Sequence, residues 1–153
     1  MTQQTRGAAG RLEAIHLRPA ARTPVRSVAS ATAIAGTGLA GDHTNGGRRQ
    51  VTLLSREAWD AACRTLGRAI DPAARRANLV VAGIDLAACI GGSLHIGPVV
   101  VDVLGETRPC ELLDDDGRLG LCAALRPEHR GGVYGTVRQG GTLQVGDPVV
   151  ASA

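Results

Sequence analysis

Glycine cuts this chain into short runs of β-forming residues, and that spacing leaves it few architectures. Runs at 12–17, 25–34, 50–54, 79–82, 93–96, 99–104, 133–138 and 142–145 read as strands, with 21 glycines in 153 residues to turn between them. Strands this short and this numerous predict a β-barrel or closed sheet rather than alternating βαβ units. Ile96-Gly-Pro-Val99 and Arg138-Gln-Gly-Gly-Thr142 carry hairpin signals. Helix is limited to three places. Ser55 is a good N-cap, Glu57 puts negative charge in the first turn, and Trp59, Ala62, Cys63 and Leu66 form an i, i+3, i+4, i+7 stripe that Gly67 ends. A second, short helix starts at Asp71-Pro72 and a third covers 119–125. The expected class is mainly β with a few helices, one domain over 11–153 behind a disordered tail at 1–10.

Composition narrows the chemistry. There is no Phe, one Trp (Trp59) and one Tyr (Tyr134), so the core is aliphatic and there is almost no platform on which to stack bases. All 17 basic residues are arginine. Without lysine the chain cannot anchor pyridoxal phosphate covalently or run Schiff-base chemistry. The net charge of +3 is mild and the arginines are interspersed with acids, which argues against nucleic acid as a partner. Cys63, Cys89, Cys110 and Cys122 form no Cys-x-x-Cys pair. With no leader and no long apolar run, the expectation is a cytoplasmic protein without disulfides and without a membrane partner.

Cys110 is the candidate for chemistry. It ends Gly105-Glu-Thr-Arg-Pro-Cys110, just past the apolar run Val99-Val-Val-Asp-Val-Leu104. Pro109 stiffens the approach, and Arg108 puts a guanidinium nearby. A thiol so placed is suited to be a thiolate, which binds soft metals and carries sulfur. The acidic run Asp114-Asp-Asp116 would oppose this if it folded close, and is expected to be a solvated loop. Gly36-Thr-Gly38-Leu-Ala-Gly41 matches a dinucleotide pattern but runs into turn sequence where a helix must open, so a Rossmann site is rejected. Gly46-Gly47 before Arg48-Arg49 would let backbone and two guanidiniums meet a phosphate, or is an exposed basic turn. Arg130 stands beside another glycine pair. Arg48, Arg49, Arg108 and Arg130 are the expected anion-binding ring around Cys110. Asp42 and His43 read as a turn-stabilising Asp and a solvent-facing or hydrogen-bonding His, and His16 and His95 as structural.

The order of these segments resembles the MOSC domain, the module named for the C-terminal part of molybdenum cofactor sulfurases. Gly38-Leu-Ala-Gly-Asp42, Gly47-Arg-Arg-Gln-Val-Thr-Leu-Leu54, Asn78-Leu79, Gly83-Ile-Asp-Leu86, Leu94-His-Ile-Gly97, Arg108-Pro-Cys110, Arg130-Gly-Gly-Val-Tyr134 and Gly140-Gly-Thr-Leu-Gln-Val-Gly-Asp147 follow collinearly over nearly the whole chain. The resemblance implies a MOSC-type β-barrel and binding of the molybdenum cofactor, a molybdenum–pterin. Cys110 would ligate the metal, as in molybdenum-dependent reductases of N-hydroxylated compounds, or carry sulfur as a persulfide in a non-catalytic module. It further implies cofactor contacts from Gly46, Gly47, Asn78 and Tyr134 together with the arginines. The partner would be a separate redox protein or a cysteine desulfurase, and the assembly a monomer or small homo-oligomer. His43 and Ala77 depart from the residues common at their positions in the family.

Overall fold

The first strand organises the molecule because three others pair with it. In the computed structural model, which describes residues 9–152, β1 (Ala9–Leu17) lies antiparallel to β2 (Arg26–Val28), β6 (Leu79–Ala82) and β11 (Pro148–Ser152). Between them run β5 (Val51–Ser55), β7 (Ser93–Ile96), β8 (Val99–Glu106) and β9 (Val133–Gln139), in the order β11-β7-β8-β9-β5-β6-β1. The β11–β1 pairing closes this ring into a seven-stranded barrel, with β2 continuing alongside the later half of β1. The tail expected at 1–10 lies outside the described residues as far as residue 8, whereas Ala9 and Gly10 already pair with Val150 and Val149.

The strands were expected from their β-forming runs, and the barrel fills with their alternate side chains: Leu12, Ile15, Leu53, Leu79, Val81, Leu94, Ile96, Val101 and Val103 are all buried in one cluster. Two strands went unread. β11 begins on a proline, which a central strand excludes but the first position of a strand tolerates. β4 (Gly38–Leu39) has only two residues. The run 25–34 divides between β2 and β3 (Ser30–Ile34), which join different sheets. The hairpin expected at Arg138-Gln-Gly-Gly-Thr142 is a corner instead. β10 (Gly141–Gln144) leaves β9 and pairs with β3 in a small second sheet, β10-β3-β4. A Cβ on Gly140 would stand 2.5 Å from the Ala33 carbonyl, so the glycine lets the chain cross onto that sheet. The Gly97-Pro98 turn does close the β7–β8 hairpin.

Among the described residues only β5 and β6 pair in parallel, and parallel neighbours need a crossover. Residues 56–78 supply it through α1 (Arg56–Leu66) and a 3-10 turn at Pro72–Arg75. The caps are as read: Ser55 Oγ accepts from the Ala58 N–H, and Gly67 ends α1 at φ 79°. Asp71 caps the 3-10 turn through the Ala73 N–H. α1 and the short α2 (Leu121–Leu125) pack on the outside of the barrel. They bury Trp59, Ala62, Leu121 and Leu125 against Leu54 and Val80, the outward residues of β5 and β6. That explains why both faces of those two strands are apolar.

Candidate functional site

The segments that follow β1 and β8 and those that precede β6 and β9 meet on one side of the barrel, because Leu79, Leu53, Val133 and Glu106 stand in register across β6, β5, β9 and β8. Cys110 stands there, exposed, at the head of a 3-10 turn over Glu111–Asp114. The glycine pair before β9 positions its loop: a Cβ on Gly131 would meet the Thr107 carbonyl at 2.6 Å and the Pro109 ring at 3.1 Å. Gly131 and Gly132 therefore serve the approach of the 107–110 loop rather than a phosphate.

The guanidinium beneath that loop belongs to a residue absent from the expected ring. Arg75 donates from Nε to the Gly131 carbonyl at 2.8 Å and from Nη2 to the Thr107 carbonyl at 3.0 Å. It has no carboxylate partner among the described residues. Burial pushes it below its usual range; negative charge at Cys110 opposes that, Arg49 adds to it, and Cys122 also opposes it. Arg75 thus shares its electrostatic surroundings with Cys110 and Arg49. Arg76 follows in the left-handed region at φ 64° and pins the loop after β1, donating to the carbonyls of Thr23 and of Ala20. A cavity of about 540 Å³ opens here, with Arg22, Arg75, Arg76 and Arg118 around Cys110 and apolar walls from Pro24, Val25, Leu112 and Leu113. Asp115 and Asp116 also line it, so the acidic run folds close to Cys110 while both carboxylates stay exposed to solvent as expected. Its first member, Asp114, turns away to accept from the Cys122 N–H at 2.8 Å and so begins α2.

The expected ring comes together only in part. Arg49 stacks over the Tyr134 ring, 5.2 Å from its centroid, and Tyr134 in turn covers Gly105. Arg108 and Arg48 are exposed, the former two residues from the thiol. Gly46 and Gly47 both take left-handed backbone, at φ 71° and 67°, facing open space. Arg130 does not join. Its side chain runs between α1 and α2 to the Thr65 hydroxyl at 3.2 Å and the Ala124 carbonyl at 3.0 Å, and it lines a different groove.

Asn78 is fully buried, and its amide is consumed within the protein. Its Nδ2 donates to the His16 carbonyl and to Asp42 Oδ1, both at 3.1 Å, while its Oδ1 accepts from the Thr52 N–H at 3.0 Å and from Arg18 at 3.3 Å. Asp42, paired with Arg18 at 2.9 Å, completes this knot. The Asn78 side chain is thus a tie between β1, β5 and β6 with nothing left to offer a ligand. His43 is exposed, as read, and His16 is structural, its Nδ1 3.2 Å from the Ala77 carbonyl.

A family model described as the MOSC domain matches residues 40–150. The chain belongs to the MOSC domain family. That family is associated with molybdenum cofactor binding. No curated protein sequence matches this MOSC chain significantly. Among solved structures it resembles the YuaD protein of Bacillus subtilis at TM-score 0.80 and 20% identity, covering 95% of this chain and 97% of that one. YiiM of Geobacillus stearothermophilus aligns at TM-score 0.74 and 18% identity over 94% and 75%, and YiiM of Escherichia coli at 0.69 and 18% over 94% and 70%. At such identities the likeness establishes the fold. Among the described residues of the MOSC chain no three His, Cys, Asp or Glu side chains gather as a metal site, and no helix is long and apolar enough to cross a membrane.

Proposed function

We propose that this MOSC domain binds the molybdenum cofactor with Cys110 as the protein's ligand to the metal, and works as a reductase of small N-hydroxylated compounds. One observation carries the reading: an exposed thiol shares a cavity with a half-buried guanidinium that no carboxylate among the described residues pairs with. The donor set fits the group. A pterin dithiolene brings its own sulfurs, so a single protein thiolate suffices where no multi-residue metal site exists. Its phosphate needs arginines, and Arg75, Arg22 and Arg49 are free of acid partners among the described residues. When bound, the cofactor would supply the two-electron and oxygen-atom chemistry, with electrons from a separate redox partner.

The chain's own residues would bind and orient. Cys110, held at the strand end by Pro109 and the glycine pair, presents its sulfur to the cavity. Arg75, fixed by two carbonyls, cannot swing to follow a ligand and so defines where an anion rests. Arg49 is held over Tyr134, and Gly46-Gly47 lets backbone approach. A second reading, with Cys110 as a persulfide carrier supplied by a cysteine desulfurase, draws on the thiol's exposure.

The deciding experiment is metal and pterin analysis of protein made in a host that synthesises the cofactor. Near-stoichiometric molybdenum, lost in Cys110→Ala and reduced in Arg75→Gln, is expected. Metal-free wild type, in a host whose other molybdenum proteins load normally, refutes the cofactor reading. A persulfide on Cys110 would then establish the carrier.

A further inference from the structure

Ahead of β5 the chain takes two consecutive left-handed residues, Gly46 and Gly47, and nothing is packed where their Cβ atoms would stand. Packing therefore does not hold this turn. Hydrogen bonds do: the Gly46 N–H donates to the Thr37 carbonyl at 2.8 Å, and Gln50 Nε2 donates to the Gly47 carbonyl at 2.9 Å. Gln50 is itself fixed. It is buried, its N–H donates to the Gly135 carbonyl at 3.0 Å, and its own carbonyl lies so close to Gly38 that a Cβ there would come within 2.5 Å. The two ends of its side-chain amide have different tasks. Oε1 accepts from the Val137 N–H at 3.0 Å and so serves β9, whereas Nε2 serves the turn. A backbone N–H only donates and a carbonyl only accepts, so both partners demand this orientation of the amide. The C=O and N–H of one peptide unit point oppositely, so holding the Gly47 carbonyl toward Gln50 turns the Arg48 N–H away from it. Arg48 and Arg49 lie between Gly47 and Gln50, exposed and without an ion pair among the described residues.

We propose that Gln50 is a positioning residue: its Nε2, acting through the Gly47 carbonyl, fixes the Gly46–Arg49 turn and so presets Arg48 and Arg49 to receive an oxyanion. This deepens the proposed function, and it rests on that reading for the identity of the oxyanion as the cofactor's phosphate. Without the anchor, two adjacent glycines are free to leave the left-handed region, and glycine has more conformational freedom to lose on ordering than any other residue. A ligand would then have to order the turn itself, and its apparent affinity falls in proportion to the fraction of molecules whose turn is already in place.

The test uses the full chain made in a host without the cofactor pathway, with sulfate as the probe because it stays a dianion in mildly acid as in neutral solution. Gln50→Glu keeps an oxygen for the Val137 N–H but offers the Gly47 carbonyl no donor at neutral pH. Gln50→Met removes donor and acceptor without adding charge. In both variants amide relaxation should show the turn at Gly46–Arg49 loosened. Sulfate, followed by the amide shifts of residues 47–49, should bind about fivefold more weakly than to wild type. In Gln50→Glu the Val137 amide should stay protected from exchange. Mild acidification protonates the introduced carboxyl, whose burial favours the neutral form, and gives it a donor again. Turn order and sulfate affinity, each relative to wild type at the same pH, should then return in Gln50→Glu and not in Gln50→Met. A turn as ordered in both variants as in wild type, unchanged sulfate binding in Gln50→Met, no return on acidification, or wild type that binds no sulfate at the turn overturns the inference. Molybdenum content of the wild type made in a cofactor-making host separates the two claims. Loaded wild type with a turn indifferent to Gln50 refutes the positioning role alone, and unloaded wild type whose turn depends on Gln50 refutes the cofactor reading alone.

Discussion

Replacing Asp42 by alanine should unfold the protein at distinctly milder conditions, and the structure sets the scale. The carboxylate is wholly buried and accepts from the Arg18 N–H at 2.7 Å, Arg18 Nε at 3.1 Å and Nη2 at 2.9 Å, the Thr44 N–H at 3.2 Å and Asn78 Nδ2 at 3.1 Å. Without it, the Arg18 guanidinium, 13% exposed, keeps only the Asn78 oxygen at 3.3 Å. Breaking a buried pair by removing one partner costs about 3–5 kcal/mol, chiefly the desolvation of the charge left behind. In a chain of this size that lowers the melting point by roughly 10 °C. Urea titration followed by the fluorescence of Trp59, the single tryptophan, measures it directly. Removing both charges in Asp42→Leu with Arg18→Met should recover much of the loss, because no uncompensated ion remains. A loss under about 1 kcal/mol, or a double variant no better than the single, would show that the knot does not stabilise the barrel.

The same carboxylate sets a pH dependence. Burial by itself would raise the Asp42 pKa, but the hydrogen bonds and charge of Arg18, with the Thr44 N–H, outweigh it and hold the group below its ordinary 3.8. A depressed folded value means the contribution is fully present above the unfolded pKa and is lost as pH falls through the folded one. Wild type should therefore lose stability more steeply than Asp42→Asn as the medium is acidified below 3.8. Parallel acid-unfolding curves would remove Asp42 from the account.

Maleimide labelling of the native protein should modify Cys110 first, since Cys89 and Cys122 are buried and Cys63 is half-buried. Burial, with the nearby Asp85 charge, also pushes the Cys89 thiol up; peptide mapping that found Cys89 labelled as fast as Cys110 would contradict the fold at that turn. Gly135→Ala should cost at least about 3 kcal/mol or prevent folding, because its Cβ would stand 2.1 Å from the Asp102 carbonyl within the β8–β9 ladder. Gly117→Ala, with open space but φ 79°, should cost only about 1–2 kcal/mol of backbone strain. Equal losses in denaturation experiments would mean that backbone conformation, not contact, governs both.

Much of the barrel was legible because strand and helix signals are local. Alternation and glycine marked eight runs, and the caps of α1 stand at Ser55 and Gly67. What escaped depends on distant partners. β11 is a strand only because β1 and β7 flank it, and nothing in Pro148-Val-Val-Ala-Ser152 announces those neighbours. The segment 138–142 carries hairpin chemistry, yet β9 spends its pairing on β5 and β8, which leaves β10 to β3.

The site divides along the same line. Cys110 could be singled out because following a strand end is a property of its own segment. Arg130 attracted notice through its glycine neighbours, but those glycines serve the 107–110 loop while its side chain turns toward the helices. Arg75 went unnoticed at the end of a weak 3-10 turn, and strand direction alone would not have placed it. β6 runs parallel to β5, so the crossover must bring the chain back to the end where β5 began. β8 runs antiparallel to β9, which is antiparallel to β5, so β8 runs the same way as β5 and β6 and finishes toward the opposite end. Register brings the two together: Leu79 pairs with Leu53, Leu53 with Val133 and Val133 with Glu106, so the first residue of β6 and the last of β8 lie on one line across the sheet. That stagger, with Arg75 reaching the Thr107 and Gly131 carbonyls, sets it beside Cys110, and register depends on cross-strand partners that the local sequence does not announce.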